Sequence, residues 1–433
     1  MPSVMLRAKG DANTRPQGRS TRERPGDLAV TEKVTVLWDE AFTAYDFGRQ
    51  HAMRPLRLEL TIALSQVLGL FRLPGVELLS PTPAPVSLLE LIHDPAYVSA
   101  VRQAPDSMLD AMWRRYSLGT EDTPIFPKMH EAAALATGAS VDAARAVWKG
   151  GADHAVNISG GLHHAHRSRA GAFCIYNDAA VAMSWLLAEG ANRIAYVDVD
   201  VHHGDGVQSA FYDDPRVLTI SLHENGRALY PGTGWPSETG EGKGVGCAVN
   251  VALPAATGDS GWLRAFTAVV PQLVRSFQPD ILVTQCGCDT HQRDPLADLL
   301  LSVDGQAKAY EILHKLAHEV CGGKWLALGG GGYEAVSVVP RAWTRLIGEA
   351  VGKVMKGFTP NSWREMVRDR TGVYAPSSLT DGATPSYLRW EGGTGNPEAS
   401  GIDELLDAAV LATRKAIFPL HGLDPFSPAP ALP

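Results

Sequence analysis

The sequence holds only five cysteines in 433 residues: Cys174, Cys247, Cys286, Cys288 and Cys321. An odd number with no regular framework argues against a disulfide scaffold and fits a reducing cytoplasm. C-x-C at Cys286 and Cys288 is not a usual zinc spacing, and no second Cys pair answers it. No run of about 18 apolar residues occurs, so no transmembrane helix or membrane partner is expected. The first residues carry scattered Arg without the apolar centre of a secretory signal. A basic excess is missing too. The net charge is −8, which argues against bulk nucleic-acid binding.

What is present is an α/β pattern. Residues 1 to 32 are rich in Arg, Pro, Gly and Thr and read as a disordered tail. Lys33 to Trp38 reads as a strand. His51 to Leu70 has helical apolar spacing, and Leu88 to Arg102 is helical but interrupted at Pro95. Met129 to Lys149 is an Ala-rich amphipathic helix. Then strands and helices alternate. Strands are expected at His154 to Ile158, Ile194 to Val201, Val217 to Leu222, Asp280 to Gln285 and Lys324 to Leu328. Helices are expected at Ala179 to Glu189, Trp262 to Phe277 (capped by Asp259 or Ser260) and Gln306 to Val320. Alternation of this kind implies one domain, residues 33–355, built on a central parallel sheet covered by helices on both faces. Residues 356–433 read as an extension, irregular from Pro360 to Gly395, with a late helix at Ile402 to Ile417 that packs on or trails the domain.

The chemistry concentrates in Tyr196 to Gly206, YVDVDVHHGDG. In extended chain, residues i, i+2 and i+4 point one way, so Asp198, Asp200 and His202 should align at the end of a buried strand. Buried charge is costly unless compensated, and a zinc-like ion compensates it. The alternative is a surface loop with incidental charges. Position decides between them. His163 and His164, Asp200 and His202, Asp289 and Tyr333 each lie at or just beyond the C-terminal end of an expected strand, which is where open α/β sheets bind ligands. Asp200, His202 and Asp289 make a three-ligand set with an open position. Two carboxylates weaken the ion as a Lewis acid, so neighbouring groups must help. A histidine of the 163–164 pair can serve as general base and then acid. Asp198 and Asp205 are natural partners for the far ring nitrogens. Tyr333, after four glycines, can donate to an oxyanion. Those glycines lack the Lys and Ser/Thr of a phosphate loop and the spacing of a dinucleotide fingerprint.

The ordered words SGGLHHA (159–165), FCIYND (173–178), DVDVHHGDG (198–206), ISLHE (220–224), YPGTG (230–234), CDTHQRDPL (288–296) and LGGGGY (328–333) resemble the zinc-dependent histone deacetylase superfamily, in particular its bacterial acetoin-utilisation branch. The resemblance covers roughly residues 33 to 350 and implies the arginase/deacetylase-like fold. It implies that Asp200, His202 and Asp289 hold Zn2+, with Fe2+ as the alternative. His163 and His164 would be the catalytic pair, backed by Asp198 and Asp205, and Tyr333 would polarise the acetyl carbonyl. Phe173 and Tyr230 would line the channel for the lysine stem, with Leu296 and Gly331 also contacting substrate. Family members usually carry phenylalanine where Tyr230 stands, and glycine where Ala172 stands. Arg57, Leu162 and Cys174 match the inner pocket for acetate, and Asp122 in GTEDTP matches the rim aspartate that grips substrate backbone. A structural K+ would use backbone oxygens of Asp198, Asp200, His202 and Leu222 with Ser221 Oγ. A second monovalent site would lie near Phe211, Asp214 and Val217, where Cys247 replaces an aromatic.

The resemblance implies hydrolysis of acetyl-lysine amides on proteins in the cytoplasm, with acetyl-CoA synthetase as a partner substrate and a link to acetate or acetoin metabolism. An acetylpolyamine amidohydrolase is the rival enzyme. It would add a long insertion between His51 and Asp122, and none is evident. An arginase-type ureohydrolase would need more Asp and His ligands, for two metals. A binding module without turnover would lack Tyr333 or one of the paired histidines, and all are present. Oligomeric state leaves no trace in the sequence.

Overall fold

The computed structural model describes residues 32–107, 110–227, 229–392 and 401–430. The tail expected at residues 1–32 lies outside them except for Glu32. Eight strands form the sheet: β1 (Val34–Leu37), β2 (Val76–Leu79), β3 (His154–Asn157), β4 (Ile194–Asp198), β5 (Val217–Glu224), β6 (Ala248–Leu253), β7 (Ile281–Gln285) and β8 (Trp325–Leu328). Their order is β2-β1-β3-β8-β7-β4-β5-β6, and every pairing is parallel. Six of these strands are buried at every residue, as a parallel sheet covered on both faces requires.

The helices are α1 (Leu56–Val67), α2 (Val86–Leu89), α3 (Pro95–Gln103), α4 (Met129–Trp148), α5 (Asp178–Ala188), α6 (Asp205–Ala210), α7 (Asp259–Phe277), α8 (Val303–Cys321), α9 (Val339–Ala350), α10 (Asn361–Thr371) and α11 (Ile402–Ile417). Helix α4 packs on α5 and on β1, β3 and β8, while α1, α9, α8 and α7 form a contiguous row that meets β3, β7, β4 and β5. Pro95 opens α3, where its missing N–H costs nothing.

Three details depart from the sequence expectation. Strand β4 stops at Asp198, not Val201. Beyond it the backbone N–H groups of Asp200, Val201 and His202 donate to the carboxylates of Asp198, Asp289 and Asp200. Side-chain oxygens have replaced the sheet ladder. Neither Asp259 nor Ser260 caps α7. Gly258 holds that position, and the Asp259 carboxylate turns to the N–H (2.8 Å) and hydroxyl (2.6 Å) of Ser302, which caps α8. Finally, β2, β6, α6, α9 and α10 have no counterpart in the sequence reading, and α10 falls in the stretch expected to be irregular.

Described residues beyond 355 pack on the sheet domain. Trp363 of α10 is buried and its Nε1 donates to Leu60 O at 3.0 Å. Helix α11 lies on β6 and α7. Arg414 on its inner face is fully buried between Trp390 and Phe418 and donates to the carbonyls of Ala268, Pro425 and Ser427. A buried guanidinium is tolerable only when its donors are satisfied in this way.

Candidate active site

The loops leaving β3, β4, β7 and β8 converge at the C-terminal edge of the sheet. The β4 loop brings Asp200 and His202, and the β7 loop brings Asp289. His202 Nδ1 lies 3.1 Å from Asp200 Oδ1 and 3.1 Å from Asp289 Oδ2, and the three donor atoms form one buried cluster. Asp200 Oδ2 accepts from Gln285 Nε2 (2.6 Å) and from the N–H of Gly331 (2.8 Å). Asp289 Oδ1 accepts from Val201 N–H at 2.9 Å.

This donor set fits a divalent cation. Burial and the charge of Asp200 both push the Asp289 carboxyl up, while the positive field of His163 and His202 outweighs burial and holds Asp200 ionised. Two buried carboxylates facing one imidazole are stable together only with positive charge between them. The observed separations of 3.1 Å are close to the edge of roughly 3.3 Å expected between ligands bound at about 2.0–2.1 Å in a tetrahedron. The backbone is shaped around the cluster. A Cβ on Gly331 would sit 1.9 Å from Asp289 Oδ2 and 2.8 Å from Asp200 Oδ2, so only glycine admits both carboxylates. Gly331, expected to contact substrate, commits its N–H to Asp200.

His163 and His164 follow β3 after Gly160 and Gly161. His163 Nδ1 donates to Asp198 Oδ2 (2.8 Å), which also accepts from Tyr196 Oη (2.8 Å). His164 Nδ1 donates to Asp205 Oδ1 (2.7 Å), whose other oxygen faces His166 Nε2 at 3.0 Å. Both Nε2 atoms therefore point into the site. Burial opposes charge on His163, but Asp198 and Asp200 outweigh it and raise its pKa to about 9. Burial and the neighbouring His163 push His164 down to about 3 against the pull of Asp205.

A narrow pocket opens above them, lined by Met53, Arg57, Leu162, His163, His164, Ala172, Phe173, Cys174 and Tyr333, among others. All three residues expected in the inner pocket are in its wall. Arg57 Nη1 donates to the carbonyls of Gly330 (2.7 Å) and Gly332 (3.1 Å), fixing the glycine run that carries Tyr333. Burial pushes the Cys174 thiol up, so it stays protonated, and burial with Asp289 and Asp200 keeps the Tyr333 phenol a donor. The Phe173 ring meets Tyr333 edge-on at 5.5 Å. Ala172 adopts φ +43°, the left-handed region that glycine favours.

Other expected residues lie farther out. Tyr230, expected to line the channel, is absent from this pocket's wall: it is 44% exposed, with its ring 5.0 Å from that of His164, and lines an adjoining cleft with Asp205 and His166. Asp122 is exposed, and its carbonyl faces His51 Nε2 at 3.2 Å. Leu296 is half-buried and absent from the pocket wall, its N–H committed to Asp294. Ser221 Oγ lies 2.8 Å from His223 Nδ1, while His223 Nε2 meets Gly234 O. The hydroxyl thus donates its proton and keeps its oxygen lone pairs, as a K+ ligand must.

Sequence reasoning missed several supports. Gln285 braces Asp200. Asp178, quoted within FCIYND, accepts the N–H groups of Gly161 and Leu162 at 2.9 and 2.8 Å. Asp294, within CDTHQRDPL, accepts Tyr333 N–H at 2.7 Å. Tyr45 Oη donates to Phe173 O at 2.8 Å, and His51 meets the Phe173 ring at 4.5 Å. The quoted words held two of these. Tyr45 and His51 stood in none.

A model of the histone deacetylase domain matches residues 51–350. The chain is 41% identical over 348 residues to the acetoin utilization protein AcuC of Bacillus subtilis (strain 168), covering 80% of this chain and 89% of that one. It is 36% identical over 335 residues to the same-named protein of Staphylococcus aureus (strain MRSA252), covering 76% of this chain and 85% of that one. The crystal structure of an HDAC homolog from Aquifex aeolicus superposes with a TM-score of 0.73 at 28% identity, covering 88% of this chain and 100% of that one. An HDAC homolog complexed with SAHA gives the same TM-score at 29% identity and the same coverage of both chains. Among the described residues no helix is long and apolar enough to cross a membrane.

Proposed function

The chain belongs to the histone deacetylase family, and from that membership we propose that it is a metal-dependent deacetylase of acetyl-lysine on proteins. The observation that carries this reading is that His163, His164 and Tyr333 line one narrow pocket with the Phe173 ring in its wall. A lysine stem is a thin apolar chain, and an aromatic wall suits it. Arg57, Leu162 and Cys174 in the same wall would hold a small acyl group.

Asp200, His202 and Asp289 would hold the ion, Zn2+ by the order of affinities, with Fe2+ as the alternative. Bound there, it would supply Lewis acidity to the acetyl carbonyl and the attacking water. The chain's own groups do the rest. His164 Nε2 accepts a proton from water as its oxygen attacks the carbonyl carbon. The Tyr333 hydroxyl donates a hydrogen bond to the oxygen as negative charge develops. The proton then passes to the lysine nitrogen as the C–N bond breaks, leaving acetate and a free amine. Asp205 keeps the His164 tautomer that leaves Nε2 available. K+ at Ser221 and its neighbouring carbonyls would brace the β4 and β5 loops.

The AcuC relatives are named for acetoin utilization, and we assign this chain a like role in acetate or acetoin metabolism in the cytoplasm, with acetyl-CoA synthetase as the candidate protein substrate. Purified protein assayed against acetyl-lysine peptides and acetylpolyamines, with acetate release as the readout, tests the substrate class. Turnover of peptides well above polyamines is expected. Turnover of polyamines alone would overturn the protein-substrate reading.

A further inference from the structure

At the opposite edge of the sheet, where β3 and β8 begin, a second cluster of metal-ligating side chains converges. His154 is the first residue of β3 and fully buried. His314 and His318 lie one turn apart on α8, on one face. Glu32 stands just before β1. His314 Nε2 is 3.0 Å from His154 Nε2 and 3.1 Å from His318 Nε2. Glu32 Oε1 is 3.0 Å from His318 Nε2, and its Oε2 is 3.3 Å from His154 Nε2 and 3.7 Å from His314 Nε2. One donor atom from each of the four side chains lies within 4.8 Å of the other three.

These separations, from 3.0 to 3.7 Å, bracket what a tetrahedral ion demands. Ligand atoms bound at roughly 2.0–2.1 Å stand roughly 3.3–3.4 Å apart. Hydrogen bonding alone does not account for the cluster. His314 Nδ1 donates to Glu349 Oε1 at 3.0 Å, which fixes the tautomer and leaves a single lone pair on Nε2. That lone pair faces two other imidazole nitrogens and a carboxylate oxygen. A carboxylate behind a ligating imidazole is the usual orienting partner at metal sites. The His314 ring is also stacked on Trp325, with centroids 5.4 Å apart, and a Cβ on Gly323 would come within 2.9 Å of His318 Cε1. Packing thus holds the His314 and His318 rings, and Glu349 fixes that of His314.

We propose that Glu32, His154, His314 and His318 form a second metal site, structural rather than catalytic, for a first-row divalent ion of zinc type. Three imidazoles and one carboxylate suit Zn2+ or Co2+ and disfavour Mg2+ or Ca2+, which take oxygen ligands. Four protein ligands leave no open position for substrate. The site ties the chain just before its first strand to the base of β3 and to the last turns of α8. It is independent of the deacetylase reading, because it lies at the other end of the strands and shares no residue with that site.

Metal analysis of the untagged full chain after dialysis tests it. The wild type should retain about two equivalents of Zn2+ or Co2+ per chain, and Asp200→Ala about one, with the visible absorption of tetrahedral Co2+. In the Asp200→Ala background, His318→Gln or Glu32→Gln should weaken that remaining site roughly 10-fold or more, and His314→Ala should abolish it. His318 is 42% exposed at its side chain, so His318→Gln should fold. Alone, it should deacetylate at the wild-type rate but show a smaller rise in melting temperature with Zn2+ than the wild type, keeping the share that comes from the Asp200, His202 and Asp289 site. A folded Asp200→Ala protein that retains no Co2+ at micromolar concentration, or one whose Co2+ binding is unchanged by His318→Gln, would overturn the proposal.

Discussion

His163 and His164 hold their Nε2 atoms 3.0 Å apart, yet each gives its Nδ1 proton to a different carboxylate, Asp198 and Asp205 respectively. The environments divide the labour. His163 sits in the combined field of Asp198 and Asp200 and holds a proton, whereas burial and its charged neighbour keep His164 neutral. A neutral imidazole is the one that can take a proton from water. His164→Ala should therefore lower kcat roughly 10²-fold or more while metal stays bound. His163→Ala should lower it too, through lost electrostatic support. Unchanged pH–rate profiles in both variants would contradict these roles.

Tyr333→Phe removes one hydroxyl and keeps the ring that packs against Phe173. Loss of one oxyanion donor costs roughly 10²–10³ in kcat, with KM for an acetyl-lysine peptide little changed. Steady-state kinetics on the folded variant decide it, and a wild-type kcat would mean that the phenol does not face the carbonyl.

Asp122 is exposed, and its carbonyl meets His51, whose ring packs on Phe173, so its carboxylate is open to a passing peptide backbone. Charge-assisted hydrogen bonds from two peptide N–H groups would be worth roughly 1.5–3 kcal/mol when desolvated. Asp122→Ala should sharply reduce kcat/KM for acetyl-lysine peptides and hardly touch a minimal acetyl-lysine mimic without flanking amides. Equal losses on both substrates would instead make Asp122 a loop-stabilising residue.

His93 links the pocket to acid stability. Its Nδ1 donates to His166 O (3.0 Å) and its Nε2 accepts from Asn177 N–H (3.0 Å). Both ring nitrogens are used only in the neutral form, and burial lowers its pKa from 6.5 to about 4. The unfolded chain binds this proton first. Stability is therefore fully present above about pH 6.5 and falls as the pH drops towards 4, by on the order of 3 kcal/mol from this residue. Denaturation midpoints measured across that window should fall less steeply for His93→Gln, even though it is the weaker protein at pH 7. A slope equal to that of the wild type would show that His93 does not titrate this way.

Local spacing made much of the site legible. Asp198, Asp200 and His202 alternate within five residues, and the paired histidines, Asp289 and Tyr333 each directly follow a strand that its apolar run betrays. The same alternation misled about where β4 ends, because carboxylates took over the backbone N–H groups from Asp200 onward. What stayed hidden depends on distant segments meeting. Glu32 read as part of a tail, and His314 and His318 fall within the helix expected at Gln306 to Val320. Only the fold brings them to His154. Asp381, in the extension read as irregular, accepts from His291 Nε2, Val303 N–H and Arg341 Nη1, and so braces the loop that carries Asp289. No periodicity announces such a contact.

Deacetylation would depend on the ion that Asp200, His202 and Asp289 are proposed to hold. Purified, folded Asp289→Ala protein, assayed for metal content and acetate release from an acetyl-lysine peptide, tests it most directly. With one of three protein ligands gone, the metal content should fall by about one equivalent per chain and turnover should be lost. Undiminished metal content with wild-type turnover would contradict the assignment.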